Sequence, residues 1–187
     1  MDRALVVRAQ EGDQAASAGL LDGDAGRLLA IADGILRDRA LAEDAIQRAL
    51  LTIWRDLPRL RDPDRYEAWS YRVLVRTCYV EARRARGWLP NALSSPTLEA
   101  TEHDPLRAVV DRDQVERAFR RLSVEQRAVI VLHHYLELPR AEIAEALGDP
   151  LGTVHSRLRN AMAAMRAALD ADARPGPAEA AAAQVTR

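Results

Sequence analysis

Apolar residues return every third or fourth position along most of this chain, the period of helices with one buried face. The clearest run is Leu151, Val154, Leu158, Met162, Met165 and Leu169. The opposite face of that helix carries Thr153, His155, Ser156, Arg157, Arg159 and Asn160, and no acidic residue occurs between Leu151 and Leu169. Just before it, Gly148 can take the left-handed conformation that ends a helix. Asp149 suits an N-cap, and Pro150 suits a first helical position, where its missing N–H costs nothing. The preceding segment, Arg140 to Leu147, turns Ile143, Ala144 and Leu147 inward. A short helix, a glycine-containing turn and a longer basic helix make the helix-turn-helix pattern. Its second helix would offer hydroxyls, an amide, an imidazole and guanidiniums to a DNA major groove. The alternative is a solvated helix of an ordinary bundle; the short helix and glycine turn ahead of it favour the motif.

The same period predicts the other elements. Leu5 to Arg8 begins a short helix ending near Gly12. Gln14 to Leu21 is a weaker pattern, loosened by Gly19, Gly23 and Gly26, and Arg27 to Arg37 is amphipathic through Leu28, Ile31, Ala32 and Ile35. Leu41 to Leu57 is the strongest helix of the first half, with Ile46, Leu50, Ile53, Trp54 and Leu57 on one face. Glu43 and Asp44 are placed in its first turn, where they favour the helix dipole. Pro58 to Ala68 is a charged loop whose two prolines prevent continuous helix. Helix resumes from Trp69 to Arg86 and becomes basic through Arg72, Arg76, Arg83, Arg84 and Arg86, with Glu81 the only acid between them. Gly87 to Pro105 is polar, acidic and broken by proline, the composition of a linker. Val110 to Leu122 is helical, with Val115, Ala118, Phe119 and Leu122 inward, and Ser123 with Gln126 makes a capping box for a helix from Val124 to Tyr135. Beyond Leu169 an Ala- and Pro-rich tail has little to bury and is expected to be disordered. The predicted fold class is all-α, with two small helical domains joined by a flexible linker. The first domain covers 1–86, the linker 87–109, the helix-turn-helix domain 110–169 and the tail 170–187.

Charge narrows the chemistry. The 187 residues carry a formal net charge of −1, so any nucleic-acid site must be a local patch. Cys78 is the single cysteine, which excludes an internal disulfide, fits a reducing cytoplasm and reads as an inert buried thiol. The N-terminus lacks the apolar core of a signal peptide, and no segment approaches the roughly twenty apolar residues of a membrane span. A cytoplasmic location without membrane insertion is expected. Neither a glycine-rich phosphate loop nor a nucleophile motif occurs, so no catalytic residue and no cofactor are expected. His133 and His134 are adjacent on a helix and point about 100° apart, which disfavours a shared metal.

Two further groups of residues complete a recognisable pattern. In the first half these are Gly12-Asp13, AEDAIQ at Ala42 to Gln47, Trp54, Ala68-Trp69, Tyr71-Arg72 and EARRAR at Glu81 to Arg86. In the second they are LSVEQRAVIVL at Leu122 to Leu132, EIAEALG at Glu142 to Gly148 and GTVHSRLRNA at Gly152 to Ala161. From Leu5 to Leu169 the chain resembles an RNA polymerase sigma factor of the extracytoplasmic-function type, its halves resembling that family's domains two and four. The resemblance implies roles. The helix-turn-helix would read the minus-thirty-five promoter element through Arg140, Thr153, His155, Ser156, Arg157, Arg159 and Asn160. The helix Leu41 to Leu57 would dock on core RNA polymerase through Asp44, Gln47, Arg48, Trp54 and Arg55. The loop Pro58 to Ala68 would receive a base extruded from the non-template strand, and with the basic helix it would hold the melted minus-ten strand through Arg61, Asp62, Arg65, Tyr66, Trp69, Arg72, Arg76, Arg83 and Arg84. Tyr66, as a loop residue, is the better stacking candidate and Trp69 the better core candidate. An anti-sigma factor is the expected regulatory partner, holding together two domains that are otherwise mobile.

The chain departs from the family pattern at Arg48, where an acid is usual, at Leu50, Arg76 and Val80, and at Pro139, where a serine usually caps the first helix of the turn motif. Two other functions compete. One is a helix-turn-helix regulator acting without core polymerase. The other is a sigma-like decoy for an anti-sigma factor, against which the basic helix Arg72 to Arg86 argues, since a decoy needs no strand-binding groove.

Overall fold

The structure, a computed structural model, describes residues 2–87 and 107–172, which form helices and short connections. The first half contains α1 (Arg3–Gln10), α2 (Gln14–Leu36), α3 (Arg39–Asp56) and α4 (Tyr66–Gly87). An aspartate starts each of the first three. Asp2 accepts from the Ala4 N–H at 2.9 Å, Asp13 from Ala16 at 3.0 Å and Asp38 from Leu41 at 3.0 Å, which satisfies donors that a helix start leaves open. Val6, Leu28, Ile31, Ile35, Ile53 and Leu74 are fully enclosed and tie the four helices into one core.

Three expectations change here. Gly19, Gly23 and Gly26 do not break the second element; α2 runs through them for 23 residues. A Cβ at any of the three would meet nothing within 4 Å, so they lie on the outer side. Each costs about 1 kcal/mol of helix propensity, while burying one Leu or Ile on the inner side returns about 1.5–3 kcal/mol. Secondly, α3 begins at Arg39, which moves Glu43 and Asp44 out of its first turn. Thirdly, α4 begins at Tyr66 rather than Trp69, and two single 3-10 turns, Leu57–Arg59 and Pro63–Arg65, shape the loop before it.

The second half contains α5 (Arg107–Arg120), α6 (Val124–Ile130), α7 (Arg140–Leu147) and α8 (Leu151–Asp172). The capping box is present: Ser123 Oγ accepts from the Gln126 N–H at 3.2 Å, and the Gln126 side chain accepts from the Ser123 N–H at 2.9 Å. The α-helix does not reach Tyr135. It widens into a π turn over Val131–Tyr135, where the Leu136 N–H bonds the Val131 carbonyl at 3.2 Å and Leu138 N–H bonds Leu132 at 3.1 Å. Pro139 starts α7 with no side-chain cap, and Gly148 ends it at φ 68°, as the turn requires. Val154 and Leu158 are buried as expected, but Val115 and Leu151 are each 45 % exposed. Helix α8 continues three residues into the expected tail. The expected linker otherwise falls outside the described residues, except that Gly87 closes α4 and 107–109 open α5; tail residues 173–187 also fall outside.

The two helical units also pack on each other. Helix α2 lies against α6 and the π turn, and α4 lies against α7, so one apolar core spans both units. A Cβ on Gly34 of α2 would stand 3.2 Å from a Val131 methyl, which shows how closely the backbones approach. Arg127 of α6 is buried and donates to the Ile35 carbonyl at the end of α2 (2.6 Å) and to the Leu122 carbonyl (3.2 Å). Arg37, at φ 55° just beyond α2, pairs with Glu116 of α5 and lies 5.9 Å above the Phe119 ring. In this structure the two units therefore stand in a closed arrangement, with α2 and α4 of the first half packed on α6 and α7 of the second.

Candidate nucleic-acid interface

Helix α8 follows the αL glycine and presents His155, Arg159 and Asn160 to solvent, as α7 does its first residue Arg140. Thr153 and Ser156 are half-buried, the Ser156 hydroxyl donating to the Thr153 carbonyl at 3.0 Å. Arg157 is turned inward. Its side chain is 22 % exposed and donates to the Asp149 carboxylate at 2.5 Å, close to Tyr79 of α4. Asp149, expected to be a cap, thus spends its carboxylate on Arg157, while the Thr153 N–H goes to the Pro150 carbonyl at 2.9 Å.

In the first half, Arg61, Asp62 and Arg65 are exposed along the loop. Tyr66 is not a loop residue. It opens α4 with 0 % exposure, and its hydroxyl donates to the buried Asp24 carboxylate at 2.8 Å. Burial, and then the neighbouring Asp24 charge, push the Tyr66 hydroxyl well above the ordinary tyrosine range. The accessible ring is Trp69, half-buried and tilted 51° to Tyr66 at 6.1 Å, so the two aromatics exchange the roles expected of them. Tyr71 is buried, and the half-buried Tyr79 hydroxyl finds no partner among the described residues. Arg76, Arg83 and Arg84 are exposed on α4. Arg65 instead pairs with the Glu145 carboxylate of α7, and Arg72 donates through Nε to the Glu145 backbone carbonyl at 3.1 Å. The helix-turn-helix therefore occupies two of the arginines expected to meet the melted strand.

The outer face of α3 is partly apolar. Trp54, expected on the inner face, is 60 % exposed and Leu51 66 % exposed. With Leu21, Gln47 and Leu50 they line an open groove of about 380 Å³. Asp44 is exposed, and Arg55 pairs with Asp56 at 2.9 Å. Arg48 lies 2.9 Å from the Glu81 carboxylate, which is 4 % exposed and also meets Arg84 at 3.2 Å. A second groove of about 370 Å³ runs between α3 and α4, lined by Arg48, Trp69, Arg76, Glu81 and Arg84 among others. Sequence reasoning missed Glu145 and Arg127 entirely. Glu81 carried a signal, being the lone acid of a basic helix, and it explains the basic Arg48 in a position where an acid is usual. Among the described residues no helix is long and apolar enough to cross a membrane.

Comparison with known proteins places both halves. The Sigma-70 region 2 family matches residues 22–88, and the Sigma-70 region 4 family matches residues 112–165. The chain is 36 % identical over 136 residues to ECF RNA polymerase sigma factor SigL of Mycobacterium tuberculosis, covering 71 % of this chain and 76 % of that protein. It is 31 % identical over 154 residues to the RNA polymerase sigma-E factor of Streptomyces antibioticus, covering 79 % and 82 %. Among solved structures, CnrH in complex with the cytosolic domain of CnrY is similar with a TM-score of 0.67 at 25 % identity, covering 92 % of this chain and 99 % of that one. RpoE in complex with the anti-sigma factor NepR from Bartonella quintana has the same fold, with a TM-score of 0.63 at 22 % identity over 83 % and 97 %.

Proposed function

Because this chain belongs to the extracytoplasmic-function family of RNA polymerase sigma factors, we propose that it binds core polymerase, selects promoters and opens them at the minus-ten element. The observation that carries this reading is the exposed Leu51–Trp54 face of α3 beside Gln47, an apolar surface that a monomeric helix bundle has no reason to display and a polymerase subunit would cover. The α8 face of His155, Arg159 and Asn160 supplies major-groove readout of the minus-thirty-five element, joined by Arg157 once it is released. The exposed Arg61, Arg76, Arg83 and Arg84 hold phosphates of the separated strand, and Trp69 offers the accessible ring.

Opening one stacked step of DNA costs about 1.4 kcal/mol on average, so strand-holding contacts must be free when melting begins. In the closed arrangement Arg65 and Arg72 are held by Glu145, and Arg157 is held beside α4. Promoter engagement therefore requires the halves to separate. A domain of the anti-sigma type would act by stabilising the closed form, in keeping with the partner bound to RpoE in its complex. The direct test is run-off transcription from a cognate promoter by purified core polymerase with this chain and no other factor. A discrete transcript that disappears with Trp54→Ala is expected, and the absence of a transcript with the intact chain would overturn the proposal.

A further inference from the structure

The loop between α3 and α4 is pinned at both ends by residues that belong to neither helix interface with DNA. At its start, the Gln10 side-chain amide at the end of α1 donates to two loop carbonyls, Leu57 at 3.1 Å and Leu60 at 2.6 Å. In its middle, the Asp62 carboxylate accepts from the Asp64 N–H at 3.0 Å and starts the second 3-10 turn, and Asp64 meets Arg3 of α1 at 3.2 Å. At its end, Tyr66 is anchored through its hydroxyl to Asp24 of α2. Asp24 is 4 % exposed, and Arg27 holds its other oxygen at 2.8 Å. Arg27 reaches on to Glu67, which accepts from the Tyr71 hydroxyl at 3.1 Å. Burial raises the Glu67 carboxyl, but the hydrogen bond and charge of Arg27 outweigh it and hold it below the ordinary glutamate value. Pro58 and Pro63 fix φ inside both turns.

Such a set of contacts exceeds what chain connection alone needs. An interhelical loop can be solvated and floppy at no cost to the core. Here α1 and α2 both spend polar side chains, one of them buried, on setting its shape. A buried polar network that is fully partnered specifies one geometry more than it adds stability.

We infer that Gln10 and the Asp24–Tyr66 pair are positioning residues that preform the loop 57–65 for an unpaired base, so that the loop is built before DNA arrives. This rests on the sigma-factor reading and deepens it. A preformed loop spares the ordering that would otherwise oppose base capture. The consequence falls on melting, because the polymerase-facing side of α3 is not in the network and the substitutions leave the Arg65–Glu145 pair with the helix-turn-helix in place.

The test uses full-length chain in holoenzyme, with Gln10→Ala, Tyr66→Phe and Asp24→Asn. Each is measured for core affinity, for permanganate reactivity of thymines in the minus-ten region, and for the same reactivity on a pre-melted promoter. One neutral hydrogen bond alters an equilibrium by about fivefold and one to a charged group by about tenfold or more, so Gln10→Ala should lower duplex opening by about fivefold or more and Tyr66→Phe by about tenfold or more. Core affinity and the pre-melted signal should stay at the wild-type level. Asp24→Asn, which keeps an acceptor for Tyr66, should retain most of the opening. Amide exchange of the free chain provides a readout without DNA: the Asp64 and Arg65 N–H groups, protected at 3.0 and 3.1 Å bonds to Asp62, should lose protection in Gln10→Ala. If Tyr66→Phe loses helicity, Gln10→Ala decides, because it removes two hydrogen bonds to loop carbonyls and no buried ring. Wild-type opening and wild-type protection in Gln10→Ala overturn the inference, as does an equal loss on duplex and pre-melted promoters. An intact holoenzyme with no permanganate signal overturns the sigma-factor reading itself.

Discussion

Gly34→Val separates the closed arrangement from the stability of its parts. Gly34 lies on α2 opposite Val131, and even a Cβ there would stand 3.2 and 3.7 Å from the two Val131 methyls. A groove of about 450 Å³ opens beside it, lined by Ala30, Asp33, Arg37, Phe119 and Tyr135 among others, into which a flexible leucine could turn. Valine cannot escape that way, since a β-branched residue in a helix is confined to essentially one χ1 rotamer. Two effects of opposite sign follow. Within α2, replacing glycine gains a few tenths of a kcal/mol of helix propensity whether the chain is open or closed. At the interface, overpacking costs about 1–3 kcal/mol, and only in the closed form. The open-to-closed ratio should therefore rise by about 5- to 150-fold while the first half unfolds no more easily.

The distance between spin labels on cysteines introduced at the exposed positions Glu11 and Arg166 reports that ratio directly. Cys78 will not take label, because it is fully buried and burial pushes its thiol up to about 12. We expect a broad, long-distance population in Gly34→Val where the parent chain has a narrow short one, and faster promoter engagement in the holoenzyme. An unchanged distance distribution in a folded Gly34→Val chain would refute the steric argument and the closed arrangement with it.

Arg157→Ala and Arg159→Ala should each weaken minus-thirty-five footprints about tenfold or more, one lost bidentate base contact being worth about 1–3 kcal/mol; unchanged footprints in both would mean that α8 faces away from DNA. Arg127→Ala should lower the unfolding free energy in urea by about 2–4 kcal/mol, because hydrogen bonds from a charged group are worth about 1.5–3 kcal/mol and two of its carbonyl partners are left inside. A loss below about 0.5 kcal/mol, the range of ordinary surface changes, would show that water replaces the guanidinium. The Glu116 carboxyl responds to burial, which raises it, and to the stronger combined pull of Arg37 and Arg120, which holds it below the ordinary value. A depressed carboxyl contributes stability above the unfolded-state value, near 4.3, and loses it as pH falls through the folded one. The label distance should accordingly lengthen as pH falls below about 4.3, and Glu116→Gln should open the chain partly at neutral pH and blunt the acid response; identical acid profiles in the two chains would reject it.

Local signals were legible where local physics decides. The Ser123–Gln126 box, the αL glycine at 148 and the apolar stripe through Val154 and Leu158 all follow from neighbours within a turn or two of the chain. The failures share a cause of another kind. Tyr66 reads as a loop residue because its proline-rich neighbourhood resembles one, yet a partner 42 residues away, Asp24, draws it into the core. Propensity, being local, predicts a pattern loosened at the glycines of α2, whereas the burial that overrides it comes from α1, α3 and α4. Trp54 shows the limit of periodicity: it lies on the edge of the apolar stripe, and the stripe alone cannot tell a core position from a surface held for a partner. Glu145 and Arg127 had no sequence signal at all, since the partners that matter, Arg65 for Glu145 and the Ile35 carbonyl for Arg127, lie across the gap between the halves.

The composition of that gap explains why closure can be reversible. Inside the first half, contact is made by Leu and Ile side chains that water cannot replace. Between the halves, apolar packing of α2 on α6 is joined by polar contacts that are less perfect. Arg65 and Glu145 remain partly solvated, and exposed pairs of this kind add little net stability. Arg37 occupies a left-handed backbone conformation, at φ 55°, where glycine is the unstrained choice and another residue gives up about 1–2 kcal/mol. Its Nε is buried without a hydrogen-bond partner among the described residues, a further penalty of the closed form. What offsets these costs is the pairing with Glu116 and the contact with Phe119, both of which exist only while the halves touch. Strain and an unpartnered donor in the closed form, set against contacts that only the closed form has, leave closure favoured by a modest margin. Polymerase on α3 and DNA on α8 need therefore supply only a modest differential affinity to open the chain, and a partner lying across both halves needs no more to keep it shut.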